Sequence, residues 1–141
     1  MTRYAVAMDR LTGVAELLDG PLDDPAALDG NLRDFAWINR LTGGTQLSER
    51  AVAALEGSES GPVATILDVG TGGADIPMTL LARSRTAGRA LAITATDSRP
   101  EILAAARRAR PAIERMAGLE LAVADGRRLP YPDAAYDVAH C

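Results

Sequence analysis

Apolar residues over residues 63–141 occur in short runs separated by amphipathic stretches. The run at 63–69 is β-branched, has the length of a strand and ends in a glycine-dense turn, which is typical of a buried parallel strand. Met78, Leu80 and Leu81 then recur at helical spacing. Three further runs of strand length follow, at 91–96, 119–124 and 136–141. This alternation predicts an α/β fold built on a parallel sheet.

The pattern before residue 61 is helical instead. A short amphipathic helix is predicted over Arg10 to Leu18, and another over Glu49 to Leu55, with Ser48 as its N-cap. A Gly-Ser-Glu-Ser-Gly-Pro stretch then has the composition of a linker. We therefore expect two parts, a helical N-terminal segment over 1–60 and a sheet domain over 61–141.

The central helix of this segment has clear predicted ends. Asn31 is a suitable N-cap, and Gly43-Gly44 ends the pattern. The apolar stripe between them consists of Leu32, Phe35, Ile38 and Leu41. We expect Phe35 and the nearby Trp37 to dock this helix onto the sheet domain, because apolar stripes usually pack. A second interpretation is that these aromatic residues line a substrate pocket as part of a lid.

A glycine-dense turn, Asp68-Val69-Gly70-Thr71-Gly72-Gly73-Ala74, follows the first strand. Its glycines let a ligand approach the main chain, and such turns form binding sites at the carboxyl ends of parallel strands. A dinucleotide fingerprint has a third glycine where this chain has Asp75, whose carboxylate would repel a pyrophosphate. Asp68 adds a second acid. The turn therefore favours S-adenosylmethionine, which is cationic and carries no phosphate, over NAD.

Three segments resemble class I S-adenosylmethionine-dependent methyltransferases. The glycine turn resembles that family's first motif, acid-x-Gly-x-Gly-x-Gly, with Ala74 in place of the last glycine. Residues 96–103 are similar to the second motif, and residues 129–138 to the leucine-proline-aromatic stretch that leads into the fourth strand. The resemblance covers 63–141 and implies a Rossmann-like sheet with strand order 3-2-1-4.

The second and third predicted strands also end in acids. Asp97 is well placed to accept both hydroxyls of a ribose, although it could equally cap the next helix. The resemblance implies that Asp125 accepts the adenine amino group, whereas Asp125-Gly126 alone could be an ordinary turn. The cofactor-binding residues expected are Asp68, Gly70, Thr71, Gly72, Gly73, Asp97, Ser98, Asp125 and Gly126. No metal site is assigned.

The last residues lie in the predicted fourth strand. His140 has the chemistry of a general base, but no orienting partner is identifiable in the sequence, so no catalytic residue is assigned. Cys141 is interpreted as a small buried residue. The resembled fold continues through three more strands, so we expect the chain to be an N-terminal portion that self-associates through a bare fourth strand.

Composition narrows the choice of partners. The 141 residues carry a net charge of −4, which gives no basic surface for nucleic acid or an anionic membrane. A single cysteine excludes an intramolecular disulfide, and no apolar run reaches the length of a membrane span. We expect a soluble, cytoplasmic protein.

The predicted function is methyl transfer from S-adenosylmethionine to a small-molecule acceptor. Two alternatives are a non-catalytic module that binds S-adenosylmethionine or a partner protein, and an NAD-dependent oxidoreductase.

Overall fold

The computed structural model of the protein describes residues 24–56 and 64–141. Within these residues, one parallel sheet has the strand order β3-β2-β1-β4, which confirms the predicted order 3-2-1-4. Its strands are β1 (Thr65–Val69), β2 (Ala92–Asp97), β3 (Leu119–Val123) and β4 (Val138–His140). The helices are α1 (Pro25–Thr42), α2 (Gly44–Glu56), α3 (Asp75–Thr86) and α4 (Pro100–Ala109), with a 3₁₀ turn at Ile113–Arg115.

The core lies around the two central strands. Ile66 of β1 and Ile93 of β2 are fully buried among apolar side chains of α2 and α3, as expected for parallel strands covered by helices. Ile102, Leu103 and Ala106 of α4 are also buried. The sheet therefore holds the carboxyl ends of β1 and β2 in fixed positions for a site above them.

The helices α1 and α2 form a hairpin that joins the two flanking helices of the sheet. Leu28 and Leu32 of α1 cluster with Ile102 and Ala105 of α4, whereas Val52 of α2 joins the cluster around α3. Because α1 is packed on α4 and α2 on α3, the hairpin crosses above the edge of the sheet where the strands end.

Two predicted helix starts were wrong. The helix α1 begins at Pro25, where the Asp24 carboxylate accepts hydrogen bonds from two backbone N–H groups, so Asn31 lies inside the helix. An aspartate followed by proline at the first helical position is a stronger start than a lone asparagine. Ser48 likewise lies inside α2, which begins directly after Gly43 ends α1 in the left-handed conformation.

The expected docking of the aromatic residues was also wrong. Leu32 is buried against α4, but Phe35 is 51% exposed and Trp37 is 63% exposed. Ile38 and Leu41 are exposed as well. The contact that holds α1 lies one turn towards its N-terminus, where Leu28 joins Leu32, because α1 begins earlier than predicted.

Some predictions lie outside the described residues. These are the helix over Arg10 to Leu18, the linker at 57–62 and the first residue of the first predicted strand. The division into 1–60 and 61–141 therefore stays a prediction. Within 24–56 and 64–141, no helix combines the length and the apolar character needed to cross a membrane.

Candidate functional site

A cavity of about 630 Å³ lies between the carboxyl ends of the strands and the α1–α2 hairpin. Its floor is the glycine turn after β1, together with the ends of β2 and β4. Its apolar walls come mainly from helices and include Leu32, Phe35, Leu47, Ala51, Ile76 and Ile102. Its polar lining includes Asn39, Ser48, Asp68, Asp75, Asp97 and His140. The cavity has the size and the largely apolar walls of a small-molecule site.

The glycine turn is bound to the neighbouring strand. The backbone N–H groups of Gly70 and Thr71 both donate to the carbonyl oxygen of Thr96, at 2.8 Å each. Gly70 has φ +77°, which a side chain would strain, and a Cβ built there meets none of the described atoms within 4 Å. The turn is therefore held rigidly from one side and open on the other, towards the cavity.

Ala74 replaces the last glycine of the motif and takes the conformation that glycine would favour. Its φ of 57° and ψ of 22° are left-handed, and its methyl group is fully buried beside Ala106 and Ile113. Close packing of α3 therefore tolerates alanine here, although the backbone is strained.

Asp97 connects the end of β2 to the glycine turn. Its Oδ2 accepts from the Gly72 N–H at 3.2 Å, and its Oδ1 accepts from the Arg99 N–H at 3.1 Å. The residue is 8% exposed and lines the cavity. The cap position of α4 is Arg99, so Asp97 forms the turn before that helix instead of capping it directly. Its expected contact with a ribose stays a prediction.

Three carboxylates, those of Asp68, Asp75 and Asp97, line the cavity. Asp75 is the first residue of α3, where its charge is favourable at the helix N-terminus, and its Oδ2 accepts from the side-chain amide of Asn39 at 3.3 Å. The side chain of Arg110 approaches the turn and donates to the Gly73 carbonyl at 2.8 Å, but it does not line this cavity. The cavity itself is therefore acidic, as the sequence predicts.

His140 has the partner that the sequence did not reveal. Its Nδ1 lies 2.7 Å from Oδ1 of Asp68, and its Nε2 lies 2.9 Å from Oγ of Ser48. The hydrogen bond to Asp68 raises the pKa of His140 above its usual 6.5, against the opposing effect of burial. The two residues meet because β1 and β4 pair with Asp68 opposite His140. The predicted strand order makes these two strands neighbours, but it does not contain the register that places the two residues side by side.

Cys141 follows β4, and the expectation that it is buried was wrong. Its side chain is exposed and lines the cavity beside His140. Strand alternation does not reach it, because β4 ends at His140.

The structure does not bring Ser98, Asp125 and Gly126 into the cavity lining. Ser98 is exposed. Asp125 accepts from the backbone and side chain of Arg127, which lowers the pKa of this exposed carboxyl to about 2. Gly126 lies against the end of β1, where a Cβ would meet Cγ1 of Val69 at 2.8 Å. The Asp125-Gly126 loop thus borders the site, and the adenine contacts expected of it stay predictions.

The fold and the glycine turn define the class of protein. A parallel sheet of order 3-2-1-4, with an acidic glycine turn after β1 and an acid after β2, is the arrangement of class I S-adenosylmethionine-dependent methyltransferases. Residues 67–141, more than half of the chain, match the family described as a methyltransferase domain, and the chain belongs to that family.

The match to a sequence relative agrees with this assignment. The chain is 35% identical over 72 residues to the ubiquinone/menaquinone biosynthesis C-methyltransferase UbiE of Rickettsia akari (strain Hartford). This match covers 51% of the chain and 29% of the relative, so the chain spans less than a third of that protein's length.

Two solved structures share the fold. A putative S-adenosyl-L-methionine-dependent methyltransferase from Methanococcus maripaludis superposes with a TM-score of 0.57 at 13% identity, over 79% of this chain and 48% of that one. The plantazolicin methyltransferase BpumL, solved with a desmethyl-plantazolicin analogue and S-adenosylhomocysteine (SAH), gives a TM-score of 0.51 at 17% identity. That match covers 81% of this chain and 39% of the other.

Proposed function

We propose that the protein transfers a methyl group from S-adenosylmethionine to a small-molecule acceptor. The observation that carries this proposal is the junction of Asp97 with the glycine turn. A buried carboxylate at the end of β2 lies against the Gly72 backbone at the floor of an acidic cavity. Membership of the methyltransferase-domain family supports the same reaction. The proposal applies to the whole protein.

The residues present fit S-adenosylmethionine. Thr71 Oγ1 is buried at the cavity and has no hydrogen-bond partner in the described part of the chain, so it is available to a ligand. The open side of Gly70 lets a ligand approach the backbone, and Asp97 would hold the ribose. The carboxylates of Asp68 and Asp75 complement a cationic methionine end. When bound, the cofactor supplies an activated methyl group on a sulfonium.

The cavity walls favour a small acceptor. Phe35, Leu47 and Ile76 surround a volume suited to a compact organic molecule, and they belong to the same cavity as the glycine turn. Enclosing both reactants in one cavity would bring donor and acceptor together, which is the main contribution a protein can make to such a transfer. The same acids disfavour the pyrophosphate of NAD.

Isothermal titration of SAH and of NADH into the chain tests this proposal. We expect SAH to bind and NADH to give no heat of binding. Asp97→Ala should weaken SAH binding. Asp34→Ala is the control and should not weaken it, because Asp34 is an exposed residue of α1 that does not line the cavity. Binding of NADH in place of SAH would contradict the proposal, and equal SAH affinity in both variants would remove Asp97 from the site. SAH binding without methyl transfer to phenols, amines and acids would favour a non-catalytic binding module.

Other partners follow from composition and topology. The net charge of −4 supports the absence of a nucleic acid partner. A cytoplasmic location is proposed because the single cysteine cannot form an intramolecular disulfide. The strand β4 lies at one end of the described sheet, and self-association through it stays a prediction that sedimentation would test.

A further inference from the structure

His140 lies between two polar groups from different elements of the fold. Asp68, opposite it on β1, holds Nδ1 at 2.7 Å, and Ser48 of α2 holds Nε2 at 2.9 Å. The three residues come from positions far apart in the sequence and all line the cavity. The imidazole ring is therefore fixed at both nitrogens beside the glycine turn.

Counting hydrogens shows which nitrogen changes its protonation state. Ser48 has one hydroxyl hydrogen, yet its Oγ contacts both Nε2 of His140 and the Gly44 carbonyl, the latter at 3.2 Å. If His140 is charged, Nδ1–H donates to Asp68, Nε2–H donates to Ser48, and Ser48 donates to Gly44. If His140 is neutral, the carboxylate keeps the hydrogen on Nδ1, so Nε2 carries the free lone pair. The proton that His140 gains or loses is therefore the one on Nε2.

We propose that Nε2 of His140 accepts the proton of a hydroxyl-bearing methyl acceptor, with Asp68 positioning the ring and Ser48 Oγ occupying the place of the acceptor hydroxyl. This inference rests on the proposed methyl transfer. When the acceptor binds, its hydroxyl takes over Nε2 and Ser48 keeps its bond to the Gly44 carbonyl. The acceptor O–H bond breaks, its electron pair stays on oxygen, and the proton bonds to the lone pair of Nε2. The proton later leaves to water.

The walls and the charges of the cavity indicate the class of acceptor. Phe35 and Leu47 favour an apolar body, and an imidazole base is matched to phenol-like or enol-like hydroxyls, whose acidity is far closer to its own than that of an alcohol. Among the described residues, the carboxylates that line the cavity together with His140 are those of Asp68 on β1, Asp97 on β2 and Asp75 on α3, while α2 presents the uncharged Ser48. The hydrogen bond to Asp68 favours the imidazolium, so the base is in its active neutral form only above its raised pKa.

The chain contains one histidine, so its imidazole NMR signals need no assignment. A pH titration of the 141-residue chain, purified without a histidine tag, should show a pKa above 6.5 and a neutral form protonated at Nδ1. Asp68→Asn keeps a hydrogen-bond acceptor but removes the charge, so the pKa should fall below 6.5, because burial remains. Asp97→Asn removes a carboxylate of the same cavity that does not contact the ring, so this variant should shift the pKa of His140 less. A wild-type pKa at or below 6.5, or equal shifts in both variants, would overturn the role given to Asp68.

The proton transfer itself can be observed with 4-nitrophenol, whose phenolate is coloured and whose neutral form is not. The probe is mixed with the SAH-bound chain at a pH below the pKa of free 4-nitrophenol. Under this condition the bound probe should show the phenolate band. The band should disappear in His140→Gln and persist in Ser48→Ala. Absence of probe binding, or an unchanged band in His140→Gln, would overturn the proposal. Loss of the band in Ser48→Ala would overturn the placement of the hydroxyl at Nε2.

These outcomes are separable from failure of the proposed function. If SAH does not bind in calorimetry, methyl transfer fails as a proposal whatever His140 does. If SAH binds while the phenolate band does not depend on His140, only the base assignment fails. Circular dichroism of each variant confirms that the comparison is made between folded chains.

Discussion

Replacement of Asp97 by alanine perturbs the candidate site most directly. Asp97 is 8% exposed as a residue, and its carboxylate accepts from two backbone N–H groups, at 3.2 Å from Gly72 and 3.1 Å from Arg99. Hydrogen bonds to charged groups contribute about 1.5–3 kcal/mol each, and water entering the cavity would replace part of this. We therefore expect Asp97→Ala to lower the free energy of unfolding by about 2 kcal/mol while the chain stays folded.

The same substitution removes the proposed partner of the ribose. Loss of charge-assisted hydrogen bonds to a partly buried ligand should cost about 1.5–3 kcal/mol of SAH affinity, or roughly a 10- to 150-fold rise in Kd. Asp97→Asn separates the two effects, because its amide oxygen can still accept from one backbone N–H. This variant should recover part of the stability but little of the affinity.

Urea unfolding and calorimetry with SAH measure the two quantities. If Asp97→Ala loses stability but binds SAH as the wild type does, Asp97 serves only to hold the glycine turn. If neither quantity changes, the two hydrogen bonds to the backbone carry no energetic weight and the reasoning is refuted.

Three further predictions concern other parts of the chain. The Asp137 carboxylate accepts hydrogen bonds from the backbone N–H groups of Ala64 and Thr65 at the start of β1, which lowers its pKa below 3.8. Its stabilising effect should therefore be present above pH 3.8 and disappear as the pH falls through the folded-state pKa. Thermal unfolding of Asp137→Asn should lack this pH dependence. Ala74→Gly should change the free energy of unfolding, measured with urea, by less than about 1 kcal/mol. Glycine relieves about 1–2 kcal/mol of left-handed backbone strain. This gain is offset by the loss of a buried methyl group, about 0.8 kcal/mol, and by the greater backbone entropy that glycine loses on folding, about 0.5–1 kcal/mol. Ala82→Gly, on the exposed face of α3, is its control and should lose about 1 kcal/mol. Trp37, the one tryptophan of the chain, is 63% exposed, so its fluorescence should be quenched readily by iodide; a blue-shifted, protected emission would contradict the described surface.

The sheet could be predicted from the sequence because its signals are local. Each of the first three strands is a short apolar run followed closely by an acid or a glycine, and the order follows from the family's motifs. The helix starts were missed for a different reason. Several residues can cap a helix, and the choice of Asp24 over Asn31 depends on Pro25 and on how far Leu28 can extend the packing against α4.

The site was predictable only in part. The acids Asp68 and Asp97 follow from their positions at the ends of strands, and both line the cavity. The contacts of His140 depend on two facts that no local pattern contains, the register of β1 against β4 and the approach of α2. Such contacts between distant segments are set by tertiary packing, so sequence periodicity gives no information about Ser48.

Asp68 connects the donor and acceptor halves of the proposed site, and this has a measurable consequence. The sequence predicts that Asp68 faces the cationic end of S-adenosylmethionine, and the structure shows the same carboxylate bound to His140. The hydrogen bond to Asp68 raises the pKa of His140, so the ring keeps its proton to a higher pH than a free imidazole does. A ligand cation brought close to this pair disfavours the imidazolium, and by thermodynamic linkage binding must then release protons.

Calorimetry of S-adenosylmethionine in buffers of different ionisation enthalpy measures this release. We expect net proton release near pH 7, less with SAH because it lacks the sulfonium charge, and none in His140→Gln. The effect should fade well above the raised pKa, where His140 has already lost its proton. Equal release by wild type and His140→Gln would assign the proton to another group, and release that does not depend on the sulfonium would separate Asp68 from the donor site.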